Sequence, residues 1–199
     1  MPKLMVSTVA AGNTAPYVGH ADLMMLPSVV DVAGLNAVST QVLSNAAGAM
    51  YGMVKARGLS ASTAFAPSAA TVALTMFGVT TPCVDRARAA LEARGFQPLV
   101  FHATGAGGRA MEALVRSGLV GGVLDLTTTE VADEVVGGTM AGGPHRLEAA
   151  IAAGVPLVVS VGAVDMVNFG ARAAVPPQFE HRQLLAHNDQ VTLMRTTAA

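Results

Sequence analysis

Tryptophan is absent from this chain, cysteine occurs once, and aromatic residues make up only 4% of its 199 positions. A bulky aromatic core is therefore excluded. Cys83 has no second cysteine to bridge, which rules out an intrachain disulfide. A single cysteine cannot furnish a structural zinc site, which needs about four ligands. The five histidines, His20, His102, His145, His181 and His187, include no pair four residues apart and no His-Glu-x-x-His, so no metal is expected. Charge is scarce as well, at 13% of residues with a net charge of −1. With no polybasic surface, nucleic acid is not an expected partner. Mean hydropathy is +0.49, yet no apolar run reaches the ~18 residues of a membrane span without Gly, Pro or Thr interrupting it. No membrane partner is expected, and the run after Met1-Pro2-Lys3 is too short for a signal-peptide core. A reducing cytoplasm is the expected location.

What is plentiful is small and apolar. Hydrophobic residues reach 52%, mostly Ala and Val, beside 21 glycines. This composition favours close packing of small side chains, and the length suits one large domain with a sizeable core.

Lys3–Ala10 reads as a buried strand broken by Ala11-Gly12-Asn13-Thr14, and Leu23–Leu35 is apolar around Asp31. A long helix is expected from an Asn36 N-cap to Arg57, stopped by Gly58. Residues 59–69 have the Ser, Ala and Pro content of a linker. Strand and helix then alternate. Strands are expected at Thr71–Phe77, Gln97–His102, Gly122–Leu126 and Pro156–Val161. Between them lie helices at Pro82–Arg94 and Ala110–Ser117, one opened by Thr127-x-x-Glu130, and one begun by Gly142-Gly143-Pro144. Near-continuous apolar strands at this spacing predict an α/β chain with a Rossmann-like, doubly wound, mostly parallel sheet flanked by helices.

Ligands of such sheets bind beyond the carboxyl ends of the strands. That edge would gather His102, Thr104, Gly105, Gly107, Gly108 and Arg109 after one strand, and Asp125, Thr127, Thr128, Thr129 and Glu130 at another. Asp165 and Asn168 follow the last. The Thr104–Arg109 turn has the physics of an anion cradle, because glycines admit a close approach and the first helical N–H groups favour negative charge. It matches neither Gly-x-Gly-x-x-Gly nor a P-loop, so a merely tight turn stays open beside anion binding.

The runs FHATGAGGRAMEALV, GVLDLTTTEVADEVVGG, TMFGVTTPCV, VDMVNFG and HNDQVTLMRTT resemble a bacterial and fungal family related to the ATP-binding amino-terminal region of the tomato mosaic virus resistance protein. The resemblance covers essentially the whole chain. It implies ATP as the ligand and two α/β subdomains in the longer members. On that pattern residues 1–199 form a single α/β subdomain, and residues 1–10 are the last strand of an amino-terminal subdomain missing from the sequence. No antiviral role is carried over.

Each candidate also has a plainer reading. Arg109 can pair with a phosphate or with Glu112. Asp125 can meet a ligand or accept N–H bonds from Thr127–Thr129. Glu130 is expected to cap its own helix more than to act as a base. His102 can serve as a general acid or base, or as a bonded strand-end residue. Cys83, in the first turn of a helix, reads as a small buried hydrophobe. Three functions remain: a nucleotide- or anion-binding domain, an enzyme on a small carboxylated or phosphorylated metabolite, and a subunit-interaction module. A homodimer is expected through the Asn36–Arg57 helix or the Leu23–Leu35 segment, since Gly48 and Gly52 give that helix a smooth stripe.

Overall fold

The computed structural model describes residues 1–59 and 70–197. It divides the chain into two compact units, Met1–Phe65 and Ala66–Ala199. Most of the linker-like stretch, residues 60–69, lies outside the described residues.

In the first unit, β1 (Leu4–Ser7) and β2 (Met24–Pro27) pair in parallel. β1 is shorter than expected because Thr8–Ala11 turns into a 3-10 helix, with Ser7 Oγ accepting the Val9 N–H. A one-turn α1 (Ala15–Val18) follows. The long α2 (Ala37–Leu59) is capped as its sequence indicates: Asn36 Oδ1 accepts the N–H groups of Val38 and Ser39 at 3.0 and 2.9 Å. It passes through Gly58 to Leu59.

The second unit holds four parallel strands in the order β4-β3-β5-β6. These are β3 (Thr71–Met76), β4 (Gln97–His102), β5 (Gly122–Thr127) and β6 (Leu157–Gly162). All four expected strands are present, in one sheet. β3 is central, and its residues Thr71–Thr75 are all buried, which explains its uninterrupted apolar run. On one face α3 (Thr81–Glu92) packs Val84, Ala87 and Leu91 against Val72, Leu74 and Leu124. On the other, α4 (Ala106–Arg116) and α6 (Glu148–Ala152) bring Met111, Val115, Ala149 and Ala150 onto Ala73 and Val123. α5 (Thr129–Val136) follows β5 and contributes Ala132 and Val136 to a separate core.

That core belongs to an antiparallel sheet that the sequence reading did not anticipate. β7 (Met166–Phe169), β8 (Leu184–Asn188) and β9 (Val191–Arg195) lie in the order β7-β9-β8. Val167, Phe169 and Met194 face inward, while Met166, Asn168, Val191 and Leu193 line the opposite, cleft-bearing side.

Two helix starts differ from expectation. α4 begins at Ala106, four residues early, and runs through Gly107 and Gly108. Residues 144–147 form a turn, and α6 starts only at Glu148. Both differences trace to buried carboxylates.

Candidate functional site

Arg146, a residue the sequence reading did not single out, is the hub of the second unit's polar interior. Its guanidinium is almost fully buried and reaches Asp125 through two nitrogens, with Nη2 donating to Oδ1 at 3.0 Å. Its Nε donates to Glu130 Oε2 at 2.8 Å, and Nη1 lies 3.5 Å from Glu112 Oε1. Burial alone would favour the neutral arginine. The hydrogen bonds and negative charge of Asp125 and Glu130 outweigh it and hold Arg146 firmly protonated.

The carboxylates also work on the backbone. Glu130 Oε1 accepts the N–H groups of Gly105 (2.6 Å) and Gly108 (3.0 Å), so it caps α4. Glu112 accepts from Leu147 and Ala149, both at 2.8 Å, so it caps α6. Asp133 accepts from the Met140 N–H at 2.8 Å and from Asn168 N and Nδ2 at 2.9 and 3.1 Å. Three helix-borne acids thus satisfy the free donors of neighbouring segments.

This geometry revises several expectations. Glu130 does not close a capping box on its own helix: α5 has Thr128 as N-cap with no side-chain bond to the helix's own N–H groups, and the Glu130 carboxylate turns to α4. Glu112 pairs with Arg116 and Arg146, not with Arg109. Arg109 is exposed and donates to the Ala141 carbonyl at 2.7 Å. Asp125 takes Arg146 and the Thr75 hydroxyl (2.6 Å) as partners, not the Thr127–Thr129 turn.

The anion in the glycine cradle is the chain's own carboxylate. Each glycine there has an internal reason. A Cβ on Gly105 would lie 2.7 Å from the Ala141 oxygen, one on Gly107 would overlap the His102 carbonyl, and one on Gly108 would overlap Glu130. Thr127, Thr128 and Thr129 are buried and engaged with Thr75 and Thr80, Ser160, and Asn168 respectively. Asp165 is exposed, and its carbonyl accepts the Thr196 N–H. Cys83 is exposed, against the expectation of burial. Among the described residues no group of three or more His, Cys, Asp or Glu is disposed to hold a metal, and no helix is long and apolar enough to cross a membrane.

Open space is found beside the cradle. A cleft of about 400 Å³ lies beyond the carboxyl ends of β3 and β4, between Phe77, His102 and Thr104 on one side and Met166, Asn168, His187 and Leu193 on the other, with Met140 at its margin. The rings of Phe77 and His102 stack at 5.6 Å. Nearby, Thr80 and Thr127 hydroxyls bond at 2.7 Å across β3 and β5, where the connections leave in opposite directions. Such a switch point is where open parallel sheets bind ligands. Of the expected site residues, the fold brings His102, Thr104 and Asn168 to this cleft. It places Asp125 and Glu130 in the buried network. His187 was not placed at the site, because the HNDQVTLMRTT run that it opens was not read as part of an antiparallel sheet.

An open parallel sheet, helices on both faces and a ligand-sized cleft at the strand ends define the second unit as a Rossmann-like α/β domain. The chain belongs to the Uncharacterised protein family (UPF0261): residues 69–199 match its C-terminal domain and residues 1–58 its N-terminal domain. It is 55% identical over 197 residues to a UPF0261 protein of Clostridium tetani, covering 99% of this chain and 48% of that protein. It is 54% identical over 198 residues to the ToMV resistance protein Tm-1 of Solanum lycopersicum, and equally to the ToMV susceptible protein of the same plant. Each of those matches covers 99% of this chain and 26% of the tomato protein. The chain therefore spans less than half the length of these relatives.

Proposed function

We propose that the second unit binds a nucleotide, ATP being the ligand the family resemblance suggests, or a related small anion, in the cleft beyond β3 and β4. The observation that carries this reading is the pairing of a ring surface with unspent donors. Phe77 and His102 offer the flat surface. Just past Thr104, the N–H groups of Ala106 and Gly107 have no hydrogen-bond partner among the described residues, and Arg109 has no carboxylate partner there. The lining holds no carboxylate, which suits an anion. Glu130 takes the inner part of the cradle and leaves only its outer amides to a phosphate. The tomato relatives lend no role here, since the resistance and susceptible proteins are equally similar to this chain.

Calorimetry with ATP tests the reading. Arg109→Ala should weaken binding by at least ~1 kcal/mol, because hydrogen bonds to charged groups contribute about 1.5–3. Unchanged affinity would take Arg109 out of the site, and absence of ATP binding would overturn the nucleotide reading. A second reading, an enzyme acting on a small carboxylated or phosphorylated metabolite, draws on His102 and His187 facing one cleft, since histidine pairs can move protons near neutral pH.

A further inference from the structure

Asn168 has a side-chain oxygen that no described residue satisfies. The residue is fully buried, and Oδ1 has no hydrogen-bond partner among the described residues. A buried carbonyl oxygen left unpaired is costly, and native proteins keep few of them. Its orientation is settled by the other half of the amide. Nδ2 donates to Asp133 Oδ1 at 3.1 Å and to Thr129 Oγ1 at 3.3 Å. Turning the amide over would set its oxygen against the Asp133 carboxylate, so the assignment of O and N follows from the network. Both anchors belong to α5. Strand alternation puts Asn168 with Met166 on the cleft side of β7, opposite Val167 and Phe169 in the core.

We infer that Asn168 is the specificity-determining residue of the cleft, with Oδ1 accepting an N–H from a planar ring that carries an exocyclic amine. The inference rests on the cleft being a ligand site and adds which chemistry it selects. Phe77 and His102 provide the surface against which such a ring lies, and the long, freely rotating Met140 and Met166 side chains make room for it. A ring with a carbonyl oxygen or a bare C–H at that position would leave Oδ1 unpaired, and discrimination on a buried polar group of this kind is strong.

The test titrates the 15N-labelled chain with ATP and with purine riboside triphosphate, which lacks the amino group, following the backbone amides of Phe77, Thr104 and Met166. ATP should bind at least tenfold more tightly, and that preference should vanish in Asn168→Ala. Equal affinity for the two compounds, or a preference that survives in Asn168→Ala, overturns the role of Asn168 and leaves the nucleotide reading standing. If neither compound moves these amides at millimolar concentration, both fall. Should Asn168→Ala fail to fold, the comparison of the two nucleotides on the unaltered chain decides by itself, with the Asn168 Nδ2 protons as a local reporter.

Discussion

Arg146 neutralises one of the three carboxylates gathered on it, and the backbone donors of α4 and α6 carry much of the remaining negative charge. Removing the cation would leave the Asp125 and Glu130 carboxyl groups buried without their charged partner. Breaking a buried pair from one side typically costs about 3–5 kcal/mol. Arg146→Ala should therefore lower the urea midpoint by a corresponding amount, and a variant within ~1 kcal/mol of the parent would show the network to be dispensable. Asp133 behaves differently. Burial raises its carboxyl above the ordinary 3.8, and the charge of Glu130 pushes the same way, against the hydrogen bonds from Asn168 and Met140. The folded state then holds the Asp133 proton more tightly than the unfolded chain does. Its contribution to stability is fully present below the unfolded value and is lost as pH rises through the folded one. A carboxyl 13C titration should place the Asp133 midpoint above 3.8; a midpoint at or below that value would contradict the burial argument.

At the scale of elements, two helices show opposite uses of glycine. Gly107 lets α4 press against the end of β4, where a Cβ would overlap the His102 carbonyl oxygen. Because the obstacle is backbone, relief requires moving the helix. Gly107→Ala should cost at least ~1–3 kcal/mol, the usual range for overpacking. Gly58 in α2 meets nothing within 4 Å, and Gly58→Ala should stabilise that helix by up to about 1 kcal/mol through propensity alone. Thermal unfolding of the two variants checks both signs. The existence of most elements was legible in the chain: Asn36 capping α2, and Pro82 in the first turn of α3, are local chemistry written in adjacent residues. The start of α4 was not legible, because its cap is Glu130, 22 residues beyond Gly108 in the chain. A glycine pair reads as a helix breaker until a distant carboxylate satisfies it.

For the molecule as a whole, the buried hydrophobic clusters among the described residues lie in the second unit, and α2 of the first exposes Val38, Leu43, Tyr51 and Val54. A helix apolar on several sides ordinarily has those sides covered, and this is the basis for expecting two copies to pair through α2. Light scattering should then give twice the 20.1 kDa of one chain, reduced to a single chain by Gly48→Leu. A monodisperse monomer of the parent would sink the pairing, and a dimer untouched by Gly48→Leu would move it to another surface.

Composition and short-range pattern were enough to determine a cysteine-poor α/β chain with four parallel strands, since apolar runs, caps and turn glycines act over a few residues. The sequence also marked His102, Thr104 and Asn168, because strand ends converge whenever the strands are parallel. Only the tertiary structure decided what those ends do. It sent Asp125 and Glu130 inward to Arg146, filled the glycine cradle with the chain's own carboxylate, and set Asn168 and His187 on one wall of a cleft opposite His102. Electrostatic partners are chosen by distance in space. Neither the Arg146 network nor the antiparallel wall of β7, β8 and β9 leaves a periodic trace along the chain.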